Sequence, residues 1–369
     1  MISKVASVLV SAKKKLGRYQ SGADKPIATG REWLDDIFGG LLPGDIVAIA
    51  GSSGGGKSFE NQRVKNYVMN LEINPDSKDY IWLDYSMEMR FLSTMLRDIA
   101  KITQKSKRKI LTESFSEEEK VLLAKYTENL SDGRFYIDED VKTLAEFKAE
   151  LIVFLEEHKN KKAVFISIDH IALFKGADKK GTIDDVIEFI NEIRKKYPNT
   201  YWFVLTQLNR SIEGRIKEKD MIAFPQRSDI FQSDSIFFIT DYLYVCHSPY
   251  RLGIKEFLRV NAEAYDYLKD HFSEVKNGKA SFDTLGKMFF IVLKSRESEP
   301  IFNNIFVEDI AVKNKEKYRD KTDEEIVGSG EVPVFNNFNQ NTSALRKASG
   351  QISNIDLSSF EDTGDEAPF

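Results

Sequence analysis

The chain carries the run Gly51-Ser52-Ser53-Gly54-Gly55-Gly56-Lys57-Ser58 directly after the apolar stretch Asp45-Ile46-Val47-Ala48-Ile49-Ala50. Its spelling is G-x-x-x-x-G-K-[ST], placed between a buried strand pattern and a helix-compatible segment. The residue types dictate a chemistry. Small residues let the backbone curl so that several N–H groups converge on a phosphate chain. The helix that follows adds the positive end of its dipole. Lys57 is then long enough to reach β- and γ-phosphates, and the Ser58 hydroxyl is placed to ligate Mg²⁺.

A phosphate loop of this kind needs a carboxylate for the metal's water shell. Asp169 is the candidate, at the end of the apolar run Ala163-Val164-Phe165-Ile166-Ser167-Ile168. A carboxylate at the C-terminal end of a buried parallel strand faces the same crevice as the loop. Glu88, in Ser86-Met87-Glu88-Met89 after the strand pattern Tyr80–Tyr85, is a candidate to polarise water if its strand neighbours the loop's strand. A first-turn helix acid is the plainer alternative. Gln207 follows the pattern Trp202–Thr206, where an amide can touch a γ-phosphate or serve only as a polar strand end. Lys294 and Arg296 follow Met288–Leu293 at alternate positions of an extended segment, which point the same way. Two cations there suit a transferring phosphoryl group of a neighbouring subunit, or a solvated edge.

These side chains require a scaffold. Strand patterns at Ile46–Ala50, Tyr80–Tyr85, Arg134–Ile137, Ala163–Ile168, Trp202–Thr206, Leu243–Cys246 and Met288–Leu293 alternate with helical patterns at Ser58–Leu71, Met89–Ile102, Ser116–Leu130 and Ile183–Lys196. The alternation predicts an α/β fold with a mostly parallel central sheet flanked by helices. Ser116 and Glu119 have the spacing of a capping box. Ser3–Tyr19 reads as a short amphipathic helix, and Gln20–Ala28 as a linker. Ser248–Gly286 reads as a long mixed insertion, and the polar, acidic segment from about Asp320 as disordered.

Composition sets bounds. The chain has 369 residues, 41% of them hydrophobic and 30% charged, with a net charge of −5. That is ample for a large α/β core and gives no global basic field. The single cysteine, Cys246, cannot form an internal bridge, which fits a reducing compartment. The four histidines form no metal-spaced cluster. No apolar run is long enough to span a membrane, and Met1–Leu16 has the wrong charge order for a secretory signal. The expected setting is a bacterial or phage-infected host cytoplasm.

In order and in strand context, these pieces resemble the RecA-like motor domain of DnaB-type replicative helicases. Thr29-Gly30-Arg31-Glu32-Trp33-Leu34-Asp35 and Gly40-Leu41-Leu42-Pro43-Gly44-Asp45 look like that family's lead-in to the P-loop. Tyr85-Ser86-Met87-Glu88-Met89 is similar to its S-L-E-M segment, and Ile166-Ser167-Ile168-Asp169-His170 to its Walker B strand. Thr206-Gln207-Leu208-Asn209-Arg210 is nearly S-Q-L-N-R, and Lys294-Ser295-Arg296 matches K-x-R. The resemblance covers about Thr29–Val307. It implies a RecA-like P-loop NTPase core, ATP and Mg²⁺, a homo-hexameric ring on single-stranded DNA, and 5′-3′ unwinding in DNA replication. Glu88 would activate water, Gln207 would couple nucleotide to DNA, and Lys294 with Arg296 would act on the adjacent subunit's nucleotide.

The expected division is residues 1–28 as linker helix and linker, 29–319 as ATPase domain with the insertion 248–286, and 320–369 as an acidic tail. By the same likeness the first helix docks on the next subunit. There are departures. The family's helical N-terminal collar domain is not expected in the room that residues 1–28 leave. In the likeness to its DNA-gripping loop, Ser228–Ile236, Phe231 stands where Arg is usual and Asp234 where Gly is usual. Losing a cation weakens phosphate contact, while Phe231 is suited to base stacking. Candidate nucleic-acid contacts are Lys179, Lys180, Arg210, Arg215, Arg227 and Phe231, with Lys175, Lys217 and Lys219 nearby. The tail, ending Ala367-Pro368-Phe369, looks like tips that dock a terminal aromatic and carboxylate on a replication partner such as a polymerase, primase or loader. A solubilising tail is the alternative. A different class also fits the altered loop: a RecA- or KaiC-like recombination or loading factor that binds DNA with ATP but does not unwind it. A degenerate scaffold conflicts with the intact Lys57, Ser58, Asp169 and Glu88.

Overall fold

The computed structural model describes residues 5–209, 212, 225–231, 233–254, 256–258, 274–276, 279–296, 305–309, 311–312 and 335–336. They fall into two compact units, one of Met1–Phe91 with Asp132–Phe335, the other containing Leu92–Ser131.

The larger unit is built on an eight-stranded sheet. Its strands are β1 (Ile46–Gly51), β2 (Tyr80–Ser86), β3 (Phe135–Asp138), β4 (Ala163–Asp169), β5 (Thr200–Gln207), β6 (Tyr242–His247), β10 (Lys287–Ser295) and β11 (Ile305–Asp309), in the order β11-β10-β6-β1-β5-β4-β2-β3. β1 to β6 are parallel, while β10 and β11 close one edge antiparallel. β1, β4 and β6 are buried along their whole length, as strands covered on both faces must be. One face packs Leu151, Ile187, Ile190 and Phe147 against Ile46, Ala48, Ile166 and Val204. The other packs Leu34, Val64 and Val68 against Val47, Ile49, Phe165 and Phe203.

The helices of this unit follow from local signals. α1 (Val5–Gln20) and α2 (Glu32–Phe38) precede β1, and α3 (Lys57–Val68) follows it. α7 (Leu144–Glu157) starts in a full capping box between Thr143 and Glu146 and buries Phe147, Leu151 and Leu155. α8 (Lys179–Lys196) is capped by Asp178. α9 (Ser233–Ile239) leads into β6. Val5, Leu9, Val10 and Leu16 leave the apolar side of α1 exposed. The second unit holds α4 (Phe91–Thr103, entering from the first unit), α5 (Lys107–Thr112) and α6 (Glu117–Leu130). Ser116 and Glu119 form the expected capping box of α6, and Lys105 pairs with Glu119 at 2.8 Å.

Within residues 248–286, expected to be an insertion, the described residues form a turn at Pro249–Leu252 and a small antiparallel sheet of β7 (Glu256–Leu258), β8 (Glu274–Lys276) and β9 (Lys279–Asp283). The acidic tail from 337 to 369 lies outside the described residues, as do Arg210, Arg215, Lys217 and Lys219. No described helix is long and apolar enough to cross a membrane.

Candidate nucleotide site

The loop Gly51–Ser58 turns from the end of β1 into α3. Gly51 pairs in register with Gln207 of β5 on one side and Cys246 of β6 on the other. The turn admits no side chains where it is tightest. A Cβ on Gly55 would lie 2.9 Å from the Ser52 carbonyl oxygen, and Gly56, which caps α3, sits at φ 102°. Lys57 is buried and donates to the carbonyls of Gly51 and Ser52, both at 3.1 Å. Burial lowers its pKa, and the Asp169 and Glu88 carboxylates oppose that shift.

Ser58 Oγ donates to Asp169 Oδ2 at 2.5 Å. β1 and β4 are not neighbours, because β5 runs between them. The first turn of α3 spans that gap and delivers Ser58 to Asp169. Burial pushes the Asp169 carboxyl up to about 6, against the Ser58 bond, and the Glu88 charge pushes the same way as burial. Its Oδ1 is buried with no hydrogen-bond partner among the described residues. A hydroxyl, an orphaned carboxylate oxygen and a nearby buried ammonium are the donor set that a Mg²⁺–phosphate group fits. The Asp169–His170 peptide is cis.

Glu88 reaches this crevice by a route its sequence position did not suggest. Its strand, β2, is separated from β1 by β4 and β5. Ser86 pairs with Asp169 across β2 and β4, and the Glu88 N–H then donates to the Asp169 carbonyl at 3.2 Å. The segment thus folds over the end of β4, and the exposed Glu88 carboxylate acts on Lys57, Asp169 and His170. Gln207 is the last residue of β5, half-buried beside the start of the loop, and its carbonyl accepts the Phe231 N–H at 2.9 Å.

Lys294 and Arg296 sit elsewhere. Lys294 pairs with Leu243 and Ser295 with Tyr242, at the start of β6, whereas the phosphate loop lies at the strands' other end. The length of β1 separates the two, about 16 Å for five residue steps. Both cations thus lie at the sheet edge opposite the phosphate loop of their own chain. Lys294 Nζ donates to the carbonyls of Phe237 and Phe238, and Arg296 Nη2 to that of Phe238 at 2.6 Å. Partial burial lowers the Lys294 pKa to about 8, with Arg296 adding to the effect.

Of the expected nucleic-acid contacts, Lys179 and Lys180 are exposed at the start of α8, and Lys179 Nζ donates to the Phe174 carbonyl at 2.9 Å. Phe231 is half-buried against the core rather than presented freely. The Arg227 guanidinium lies 3.8 Å from the Phe237 ring centroid and 3.6 Å from Asp234.

Sequence reading missed two groups at the site. Arg251, in the turn after β6, donates to the Gly54 carbonyl of the phosphate loop. Beneath α3, Lys65 pairs with Asp84 of β2 at 2.6 Å, and Asp84 also accepts from the Trp82 indole at 2.7 Å and from the Ser167 hydroxyl. Ser58, Asn61 and Lys65 share one stripe of α3, a periodicity visible in the chain but disguised because the stripe is polar.

The model of the DnaB-like helicase C-terminal domain family matches residues 26–275. Among solved structures, one described as a DnaB-like replicative helicase and its interactions with primase superposes with a TM-score of 0.58 at 16% identity, covering 85% of this chain and 66% of that one. The ATPase domain of G40P superposes with a TM-score of 0.59 at 17% identity, covering 85% of this chain and 97% of that one. At such identities the likeness is one of fold, and the chain spans just under two thirds of the first structure's length. No curated protein matches.

Proposed function

The chain belongs to the DnaB-like helicase C-terminal domain family, and from that premise we propose that it is an ATP-hydrolysing motor that moves along single-stranded DNA and unwinds duplex in the 5′-3′ direction, as a ring of identical subunits. The observation that carries this is the convergence of Lys57, Ser58, Asp169 and Glu88 at the sheet's C-terminal edge, joined by the 2.5 Å Ser58–Asp169 bond.

In this reading the N–H groups of Gly51–Gly56 and the Lys57 ammonium hold the triphosphate. Ser58 and Asp169 are the residues that would hold Mg²⁺. Bound there, the metal would neutralise charge on the phosphate oxygens. Glu88, exposed at the mouth of the crevice, orients and polarises the attacking water. Gln207, between the loop and the Phe231 turn, couples nucleotide state to DNA. Lys294 and Arg296, too far from their own loop, stabilise the transferring phosphoryl of the adjacent subunit. Residues 29–319 form the motor, 1–28 the segment that meets the next subunit, and 320–369 a tail whose terminal Phe369 docks a replication partner. Lys179, Lys180, Arg210, Arg215, Arg227 and Phe231 line the DNA path.

A strand-displacement assay with ATP, run beside Lys57→Ala, tests this. Displacement by the wild type alone supports it. Hydrolysis without displacement removes the helicase reading and leaves the NTPase. One observation favours the loader or recombination reading as the second: Arg227 is engaged by Asp234 and Phe237, which lowers the cation supply at the DNA loop. Closed rings on single strands support the motor; open filaments support the second reading.

A further inference from the structure

Asp241 lies in the turn between α9 and β6 and is buried. Its carboxylate is shared three ways. Oδ2 accepts from the Ile46 N–H at 2.9 Å and from Arg194 Nη1 at 2.6 Å, while Oδ1 is 3.0 Å from Arg296 Nη1. The backbone repeats the tie: the Asp241 N–H donates to the Ile46 carbonyl and the Arg296 N–H to the Asp241 carbonyl, both at 2.9 Å. Arg296's other terminal nitrogen is held by the Phe238 carbonyl at the C-terminus of α9. An exposed guanidinium is thereby held at both terminal nitrogens, by Asp241, which itself accepts from the Ile46 N–H of the phosphate-loop strand, and by the C-terminal turn of α9.

We propose that Asp241 is a positioning residue for catalysis at the adjacent subunit: it orients Arg296 toward the neighbour's nucleotide and does not serve the nucleotide of its own chain. The inference rests on the trans role given to Arg296 above. The physical ground is pre-organisation. A long cation that must find one orientation loses effect when its second anchor is removed, and a misplacement of about 1 Å costs on the order of a hundredfold in rate. Losing the cation itself costs about a thousandfold or more. Because Arg194 neutralises the carboxylate from the other side, Asp241 binds Arg296 without being consumed by it.

The test is complementation by mixed chains. Asp241→Asn alone should hydrolyse ATP about a hundredfold more slowly, with KM for ATP within about twofold of wild type. Mixed with equal Lys57→Ala chains, which have no working loop but an intact Asp241–Arg296 pair, its loops should regain activity wherever the contributing neighbour is the Lys57→Ala chain. In a head-to-tail ring this is half of them, giving about a quarter of wild-type turnover per total chain. Arg296→Ala mixed with Lys57→Ala is the control. If that control fails to complement, the trans reading of Arg296 is wrong. If it complements and Asp241→Asn does not, Asp241 is not a positioning residue for the neighbour. Should Asp241→Asn fail to fold because Arg194 is left unpaired, Arg194→Met/Asp241→Asn removes both charges and goes through the same mixing. Its failure to complement overturns the proposal equally.

Discussion

Ser58→Ala isolates the bond on which the site's geometry depends. The 2.5 Å contact joins a hydroxyl to a buried carboxylate whose other oxygen has no hydrogen-bond partner among the described residues. A hydrogen bond to a charged acceptor contributes about 1.5–3 kcal/mol, and one between neutral groups about 0.5–1.5 kcal/mol. Which value applies depends on pH. The Asp169 carboxyl is raised to about 6 from an ordinary 3.8, so the folded chain holds a proton there that the unfolded chain has lost. This group's contribution to stability therefore falls as pH rises from about 4 to 6 and stays low above it. The Ser58 bond opposes that rise, so removing it moves the folded pKa further up and deepens the fall. The penalty of Ser58→Ala should be about 2 kcal/mol at pH 8 and about 1 kcal/mol at pH 5, without added nucleotide or metal. Trp33, Trp82 and Trp202 all lie in the larger unit, so urea unfolding followed by tryptophan fluorescence reports on the right part of the molecule. A penalty that does not change between the two pH values, or none at pH 8, would show that Ser58 and Asp169 do not meet.

Glu88→Gln should lower ATP hydrolysis by about 10²–10⁴-fold while leaving nucleotide affinity intact, read by phosphate release beside a binding titration. Equal losses in both would remove Glu88 from the water-activating role. Arg31 is buried between Glu60 at 2.6 Å and Glu308, with its guanidinium 5.0 Å from the Phe290 ring centroid. Arg31→Met should cost about 3–5 kcal/mol, because the buried Glu60 loses its 2.6 Å partner and keeps only the longer 3.6 Å contact to Arg63; denaturation midpoints within experimental scatter of wild type would contradict that. Burial lowers His247 from 6.5 to about 3. The folded chain thus keeps a neutral imidazole that the unfolded chain protonates, and stability is lost as pH falls below about 6.5. By pH 5 the loss is about 2 kcal/mol, a slope that His247→Gln should abolish.

Much of this was legible in the chain. The apolar runs ending at Ala50, Ile168 and Thr206 are buried strands, and the residues just past them, Gly51, Asp169 and Gln207, line one edge. Strand order was not legible, since it depends on which faces pack, and it decides how Glu88 and Ser58 reach Asp169. α7 had an available signal in Thr143, Glu146 and the spacing of Phe147, Leu151 and Leu155. Asp84, Lys65, Arg31 and Asp241 were hidden for a common reason. Charged residues read as surface until their partners are known, and those partners come from distant segments: Lys65 with Asp84, Arg31 with Glu308, Asp241 with Arg194 and Arg296.

The most direct measurement is steady-state phosphate release from ATP with Mg²⁺, with and without single-stranded DNA, for the wild type and Lys57→Ala. The account predicts hydrolysis that needs Mg²⁺, rises with DNA and vanishes in Lys57→Ala. Equal release by the two chains, or none by the wild type in the presence of DNA, would contradict it.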